Sequence, residues 1–448
     1  MVHTLVPQKP SSLWANRNFL FLWIGQSFSL LGDWFFVATL TIWIIDRLAR
    51  GHSWLPLAAG GVPLIRTLPS LLLAPFAGVF VDRWDRRRTM LWTDGLRLVL
   101  VTLFLLLVLL VPIPAWWLVS CFGVLLLCAC GSQFFDPARV AVLTDLVPAA
   151  QRPQAFGSLQ QANYGAQILG PALAVPLYVA LGPAWAITLN AGSFLVSLLA
   201  LLVLRVPAPE QSTVQEKREF WHEWAEGLRF FTGNRVLVTL LLSGMLFMGA
   251  GMAYNAFEYL YGVENLHILP ALLGLYVACF GSGVLVGLPL VAALARRLSE
   301  VETLWSSLVC YGITTLVLAR VSSVIPGMVC GLLLGFFSAS IFVTVRPLTV
   351  RVTPRQLIGR VLAFEVPLIN IASLLGGTLA TVLAWTVLRD FHATIAGMTF
   401  GRLDTIFLGI GLLAVGAGVF ARLTLYRAVK NLETAEALER KTPGEQGL

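Results

Sequence analysis

Two ionisable residues stand inside long apolar runs, Asp33 in LLGDWFFVAT and Arg66 in GVPLIRTLPS. A charge in the middle of such a run is expensive in hydrocarbon and marks a functional position by default. Counted from the outer ends of their runs at a rise of about 1.5 Å per residue, Asp33 lies about 18 Å deep and Arg66 about 15 Å deep. A carboxylate and a guanidinium at matched depth can pair or share a water-filled cavity. If their separation changes between two conformations, the proton affinity of Asp33 changes with it. The competing reading is a permanent ion pair that only fixes helix packing. Trp34, Phe35, Phe36 and Trp43 surround Asp33 in the chain. Aromatic faces beside a carboxylate suit a bulky amphipathic or cationic solute, although lipid-facing positions explain such aromatics equally simply.

A second constellation is Gly78-Val-Phe-Val-Asp82-Arg83-Trp-Asp85-Arg86-Arg87-Arg88. Glycine at a helix end lets a neighbour approach closely, and Asp82 can pair with arginines of its own loop. Such a cluster can hold one conformation and release it in another. Asp94 and Arg97 share a helix face at i, i+3 and are expected to extend this inner gate, with Arg360 and Glu365 from a later segment. Asn163, Gln167 and Asn370 are polar within apolar runs, as interhelical hydrogen-bonding groups or substrate contacts. Glu258 is expected as a solvated rim residue near the outer face, with substrate contact as the alternative. Gly165, Gly170, Pro171 and Gly376 are helix-packing positions.

Several chemistries are missing. The chain has no Gly-x-x-x-x-Gly-Lys-Ser/Thr phosphate loop and no Gly-x-Ser-x-Gly nucleophile turn. His3, His52, His222, His267 and His392 are scattered without metal-ligand spacing. The glycines at 281, 283 and 287 lack the strand–turn–helix context of a dinucleotide fold and read as close helix packing. Cys121, Cys128, Cys130, Cys279, Cys310 and Cys330 all sit in apolar runs, as small buried side chains. No cofactor, no metal, no catalytic residue and no nucleic-acid partner are expected.

The elements that must position these residues follow from composition. Of the 448 residues 57% are apolar and 12% charged, and mean hydropathy is +0.81. Soluble domains carry about 25% charged residues, so a soluble enzyme, a disordered chain and a disulfide module are excluded. Scanning for about 20 consecutive apolar residues gives twelve spans: 19–45, 56–80, 89–111, 116–135, 156–181, 184–204, 235–257, 268–294, 302–320, 326–349, 361–388 and 404–424. The first run is too long for a signal-peptide core and is read as a retained span. Among the 31 Lys and Arg, Arg66 and Arg97 lie within spans, and only Arg47, Arg50, Arg320, Arg389 and Arg402 fall on the side opposite the termini. The positive-inside rule therefore puts both termini in the cytoplasm, and the net charge of +8 belongs to inner-surface loops.

Residues 205–234 form the longest polar connection, with Trp221, Trp224, Leu228 and Phe231 at helical spacing among charges, and read as an amphipathic helix on the membrane surface. It divides the chain into a cytoplasmic segment 1–18, a six-helix bundle 19–204, the linker 205–234, a second six-helix bundle 235–424 and a cytoplasmic tail 425–448. Leu169-Gly170-Pro171 echoes Leu375-Gly376-Gly377, and Val147-Pro148 echoes Thr353-Pro354 at the same offset, as duplicated halves would. The fold class is all-α, with twelve transmembrane helices in two pseudo-symmetric bundles.

The glycine, Asp-Arg and basic cluster between spans two and three resemble the signature of the major facilitator superfamily. The Asp-Arg-x-Asp-Arg-Arg-Arg form is similar to the branch of enterobactin exporters and macrolide-efflux permeases. Gly25-Gln26, Leu31-Gly32-Asp33, Phe135-Asp136-Pro137-Ala138-Arg139, Asp145-Leu146-Val147-Pro148, Asn190-Ala191-Gly192-Ser193-Phe194, Thr353-Pro354 and Gly359-Arg360-Val361 extend the resemblance over residues 16–424. Two features depart from it. Ala174 and Val175 stand where many exporters carry a glycine pair, and residues 116–135 lack the arginine that proton-coupled members often have in span four.

The resemblance implies a secondary transporter of the inner membrane that alternates access around a central cavity. The expected activity is proton antiport exporting a small amphipathic compound, of drug or siderophore type. Protons, the substrate and lipid are the expected partners, and the chain is expected to act as a monomer. Uptake or lysophospholipid flipping by the same fold, and a non-transporting sensor or scaffold, are the alternatives.

Overall fold

In a computed structural model the apolar runs become helices. The structure describes residues 13–205, 229–294, 299–354, 357–395 and 398–441. Helices α1 (Arg17–Trp43), α2 (Leu55–Arg83), α3 (Arg86–Leu110), α4 (Pro114–Leu146), α5 (Arg152–Leu181) and α6 (Pro183–Val203) precede the linker, most of which lies outside the described residues. Helices α7 (Arg235–Glu264), α8 (Pro270–Leu294), α9 (Glu300–Leu318), α10 (Val324–Arg351), α11 (Ile358–Trp385) and α12 (Arg402–Lys441) follow it. Twelve helices among the described residues are long and apolar enough to cross a membrane. A short hairpin, β1 (Ala393–Ile395) against β2 (Met398–Phe400), joins α11 to α12.

The helix ends are set by residues that satisfy orphan backbone groups. Asn16 accepts from the Asn18 and Phe19 amides at the start of α1, and Asn234 caps α7 in the same way. Asp85 accepts from the Arg88 amide to start α3, and Ser299 with Glu302 forms a reciprocal capping box on α9. Gly182, at φ 79°, turns the chain between α5 and α6, and Pro183 opens α6 where a missing N–H costs nothing.

The chain divides into two compact units. The first holds α1, α2 from Leu68 onward and α3–α6; the second holds Ile45–Thr67 and α7–α12. The sequence boundary had left residues 45–67 with the first bundle. Their grouping with the second has a local cause: Gly60 lies against Thr381 so closely that a Cβ would collide with its hydroxyl, and Leu64 faces Gly377. In the first unit α1 packs on α5 and α6, and α3 on α4 and α6. In the second, α7 packs on α11 and α12, and α9 on α10 and α12. These four pairings recur six helices on, as a duplicated architecture requires.

Small residues set how closely helices approach. Gly25 and Gly32 of α1 face Ala200, Ser197 and Ser193 of α6, and Gly170 of α5 sits on the backbone of Trp34 and Phe35. Gly376 of α11 meets the backbone of Gly249 on α7. On α8, Gly283 and Gly287 lie against Leu332, Phe336 and Ala339 of α10, while Gly335 of α10 lies against the Phe280 carbonyl. At Gly165, by contrast, a Cβ would meet nothing within 4 Å, so packing does not demand glycine there. Span four also runs longer than read: α4 continues to Leu146 with Pro137 in its interior. Arg139 therefore belongs to that helix, in place of the loop position assigned to it.

The glycine contacts predict a contrast in stability. Gly335→Leu should abolish monodisperse protein or lower the thermal midpoint in detergent by several degrees, because the α10 backbone cannot retreat from Phe280. Gly95→Ala, at a position with nothing within 4 Å, should leave the midpoint unchanged or raise it. Equal midpoints for the two variants would contradict this packing.

Candidate functional site

The first unit is built around a buried pair on α3. Asp94 is fully buried and Arg97 is 4% exposed, with Arg97 Nη1 3.3 Å from Asp94 Oδ1. Their i, i+3 spacing puts both on the face that packs against α4 and α6. Ser197 Oγ of α6 donates to Asp94 Oδ2 at 2.6 Å, and Arg97 Nη2 donates to Ser132 Oγ of α4 at 2.6 Å. The guanidinium also lies over the rings of Phe135 and Phe194, at 5.1 and 5.7 Å. Gly131 leaves the room: a Cβ there would come 3.3 Å from Arg97 Nε. That Nε is buried with no hydrogen-bond partner among the described residues, so the pair is incompletely satisfied.

The network continues outward from Asp94. Gln26 Nε2 of α1 donates to Ser197 Oγ at 3.4 Å, and Arg139 Nη1 of α4 donates to Gln26 Oε1 at 3.3 Å. Arg139 pairs in turn with Asp136 at 3.0 Å. Both line a cleft of about 220 Å³ with Leu30, Phe156, Gln160 and Asn163. A chain of polar contacts thus joins this small cleft to a carboxylate sealed in the bundle. Asp33, half-buried on α1, acts electrostatically on Asp94 and on the Cys128 thiol. Two carboxylates therefore share one neighbourhood in the first unit. Arg66 is half-buried in the stretch grouped with the second unit.

The remaining sequence candidates divide by location. Trp34 Nε1 donates to Asn163 Oδ1 at 3.3 Å, at the cleft. Phe36 is buried edge-on against Phe104, in the core. Gln167 and Asn370 are half-buried on α5 and α11. Glu258 is 4% exposed within α7, because that helix continues to Glu264; the solvated rim expected for it is corrected to a buried position. In the loop cluster, Arg86 pairs with Asp145, Arg87 donates to the Leu201 and Leu202 carbonyls at the end of α6, and Arg83 is exposed. Asp85 is occupied as the α3 cap. Asp94 and Arg97 lie further along α3 than these residues and join the interior network described above. Glu365 is buried on α11 at 4% exposure. The side chains of Gly78, Asp82 and Arg360 lie outside those described.

Sequence reasoning missed Ser197 and Ser132 as partners of Asp94 and Arg97, and Gln26 as the link from Ser197 to Arg139. Single small polar residues in apolar runs look like tolerated core positions until a buried charge is placed beside them. Arg139 was hidden by the polar stretch around Asp136 and Pro137, which ended the apolar count early. Among the described residues no group of three or more His, Cys, Asp or Glu could hold a metal ion.

Twelve spanning helices in two units with a recurrent pairing pattern, and ionisable side chains sealed inside the spans, define a multi-pass membrane protein with the architecture of a solute transporter. Residues 22–265 match the Major Facilitator Superfamily profile, and the chain belongs to that family. It is 28% identical over 383 residues to multidrug efflux pump Tap of Mycolicibacterium fortuitum, covering 83% of this chain and 90% of that protein. It is 24% identical over 270 residues to macrolide efflux protein A of Streptococcus pyogenes, covering 60% of this chain and 65% of the relative's length. Among solved structures, the nucleoside transporter NupG superimposes with a TM-score of 0.68 at 12% identity, covering 91% of this chain and 99% of that one. A bacterial homologue of the lysosomal transporter Spinster superimposes at 0.67 with 14% identity, covering 93% and 98%.

The buried pair makes a stability prediction. Arg97→Met leaves Asp94 as an uncompensated buried charge and should cost about 3–5 kcal/mol. Adding Asp94→Asn should recover part of that loss. Thermal unfolding in detergent checks both, and a double variant no more stable than Arg97→Met alone would show that the pairing does not stabilise the bundle.

Proposed function

We propose that the protein is a secondary active transporter that exports a small amphipathic compound, of drug or siderophore type, across the inner membrane by alternating access as a proton antiporter. The observation that carries this reading is the polar chain from the Asp136–Arg139 cleft through Gln26 and Ser197 to Asp94, with Asp33 beside it. Solute entering the cleft meets Arg139 directly, and any shift of that guanidinium is felt at Gln26 and so at Ser197. Asp33 is the proposed proton carrier. A proton bound there removes its repulsion with Asp94, so proton occupancy and the arrangement of α1, α3 and α6 are energetically linked. Arg66, also ionisable within a span, is proposed as its counterpart in coupling. Arg83, Arg86, Arg87 and Asp85, with Gly78, Asp82, Arg360 and Glu365, are proposed to hold the inner gate.

Export is supported by the relatives, named for macrolide and multidrug efflux. The sequence contains no nucleotide-binding loop, which leaves an ion or solute gradient as the energy source for a chain acting alone. The cleft's mixed lining, with Phe156 and Leu159 beside Gln160 and Asn163, suits a solute with both apolar and polar faces.

The test is export in proteoliposomes under an imposed pH gradient, with a panel of dyes, macrolides and siderophores. Wild-type flux should follow the gradient for at least one compound, and Asp33→Asn should lose gradient-driven flux at least tenfold while folding normally. Full gradient-dependent transport by Asp33→Asn would remove Asp33 from the mechanism, and flux indifferent to the gradient would sink the antiport reading.

A further inference from the structure

The second unit contains a carboxyl that the proposed mechanism does not use. Glu258 lies on α7 about six residues before its end, so about 9 Å along the helix from Glu264, and is 4% exposed. The Tyr254 hydroxyl, one turn earlier, donates to its Oε1 at 3.2 Å. Tyr254 is itself buried, held between Phe280 of α8 and Phe407 of α12 at ring separations of 5.8 and 5.7 Å. Tyr276 of α8 and Tyr311 of α9 are buried in the same cluster, with the Tyr276 hydroxyl beside that of Tyr254.

The titratable groups that feel Glu258 are Tyr254 and Tyr259 on its own helix, Tyr276 and Cys279 on α8, and Tyr311 on α9. Each is itself an acid. From α12, Phe407 packs on Tyr254 here. Glu258 makes no ion pair among the described residues. The nearest ion pair along its helix is further out, where Arg402 of α12 grips Glu264 with Nη2 at 3.0 and 2.8 Å from its two carboxylate oxygens.

This differs from the first unit, where Asp94 has Arg97. A buried carboxylate without a cation carries an uncompensated charge. A sodium or organic cation would need several oxygen ligands or an open cavity around it. A proton needs neither, since it binds one oxygen and leaves the other free to accept from Tyr254.

We propose that Glu258 is a proton-binding site in the second unit, with the Tyr254 phenol positioning its carboxyl. The step is a simple uptake: the carboxylate takes one proton to become the neutral acid, Tyr254 keeps its own proton throughout, and release returns the carboxylate. This site deepens the antiport reading above, because it gives the exchanged proton a station in each unit, but its existence can be read without any transport measurement.

The experiment is infrared difference spectroscopy of the purified chain in lipid nanodiscs, between acidic and alkaline buffer. The wild type should show a carboxylic-acid band that is lost in Glu258→Gln and shifted in Tyr254→Phe, which lacks the phenolic donor. A band set unchanged in Glu258→Gln overturns the proposal. Should Glu258→Gln fail to fold, Tyr254→Phe decides alone: a shifted band supports the site and an unmoved one overturns it. Proteoliposome flux of the wild type separates the two readings. If the band behaves as expected while flux ignores the pH gradient, the antiport reading fails and Glu258 remains a proton site.

Discussion

Hydrocarbon cannot solvate a charge or an open backbone hydrogen bond, and this constraint governs nearly every feature of the molecule. It makes each crossing a helix that satisfies its own amides. It pushes capping chemistry to the membrane edges, where Asn16, Asp85, Asn234 and Ser299 hold helix starts. It also leaves very few places for ionisable groups. Asp94 survives in the interior because Arg97 and Ser197 both face it, and Arg97 because Ser132 and two aromatic faces receive what Asp94 does not. Arg-to-Lys exchange at such a site would lose the fork that reaches two helices at once.

With no hydrophobic drive between lipid-immersed helices, association depends on close packing. Glycine supplies it where backbones nearly touch, at Gly283, Gly335 and Gly376. Exposed leucines and tryptophans such as Leu110 and Trp92 cover the outside of the bundles, which in water would be a liability and in lipid is the required surface. The basic loop after α2 serves a different end. Arg86 and Arg87 are spent on Asp145 and on the last carbonyls of α6, so part of what looks like topogenic charge also ties three helix ends together.

The fold was legible because its signal is crude. Twelve runs of apolar residues survive an error of several positions at each end. The site was legible only in part. Asp33, Asp94 and Arg97 announce themselves as charges among apolar neighbours. Gln26, Ser132 and Ser197 do not, since uncharged polar side chains are common inside membrane helices and their meaning comes from which helix faces them. Arg139 was lost to a boundary error, and Glu258 was misplaced for the same reason in reverse: stopping span seven early put it at a rim, whereas two more turns of α7 bury it. Hydropathy reads length well and ends poorly, because a helix can continue through Pro137 or Tyr261 after the apolar average has fallen.

The two units repeat their helix pairings but not their charges. Helix α3 carries Asp94 and Arg97 in its interior, whereas α9 keeps Glu300 and Glu302 in its first turn and runs through hydroxyls and apolar residues beyond them. Helix α1 holds Asp33 at mid-length, while the acid of α7 stands near its far end within a ring of tyrosines. Packing can be inherited by both halves because it depends on residue size at a few contact faces. A buried charge cannot drift so freely, since each one needs its partner on another helix at the moment it appears. The pattern left by those two pressures is a shared scaffold on which buried acids have found different means of support, an arginine for Asp94 in the first unit and a phenol for Glu258 in the second. In the antiport reading proposed above such a difference has a use, because an acid held by a fixed cation and an acid held by a neutral donor respond unequally to the same rearrangement of helices.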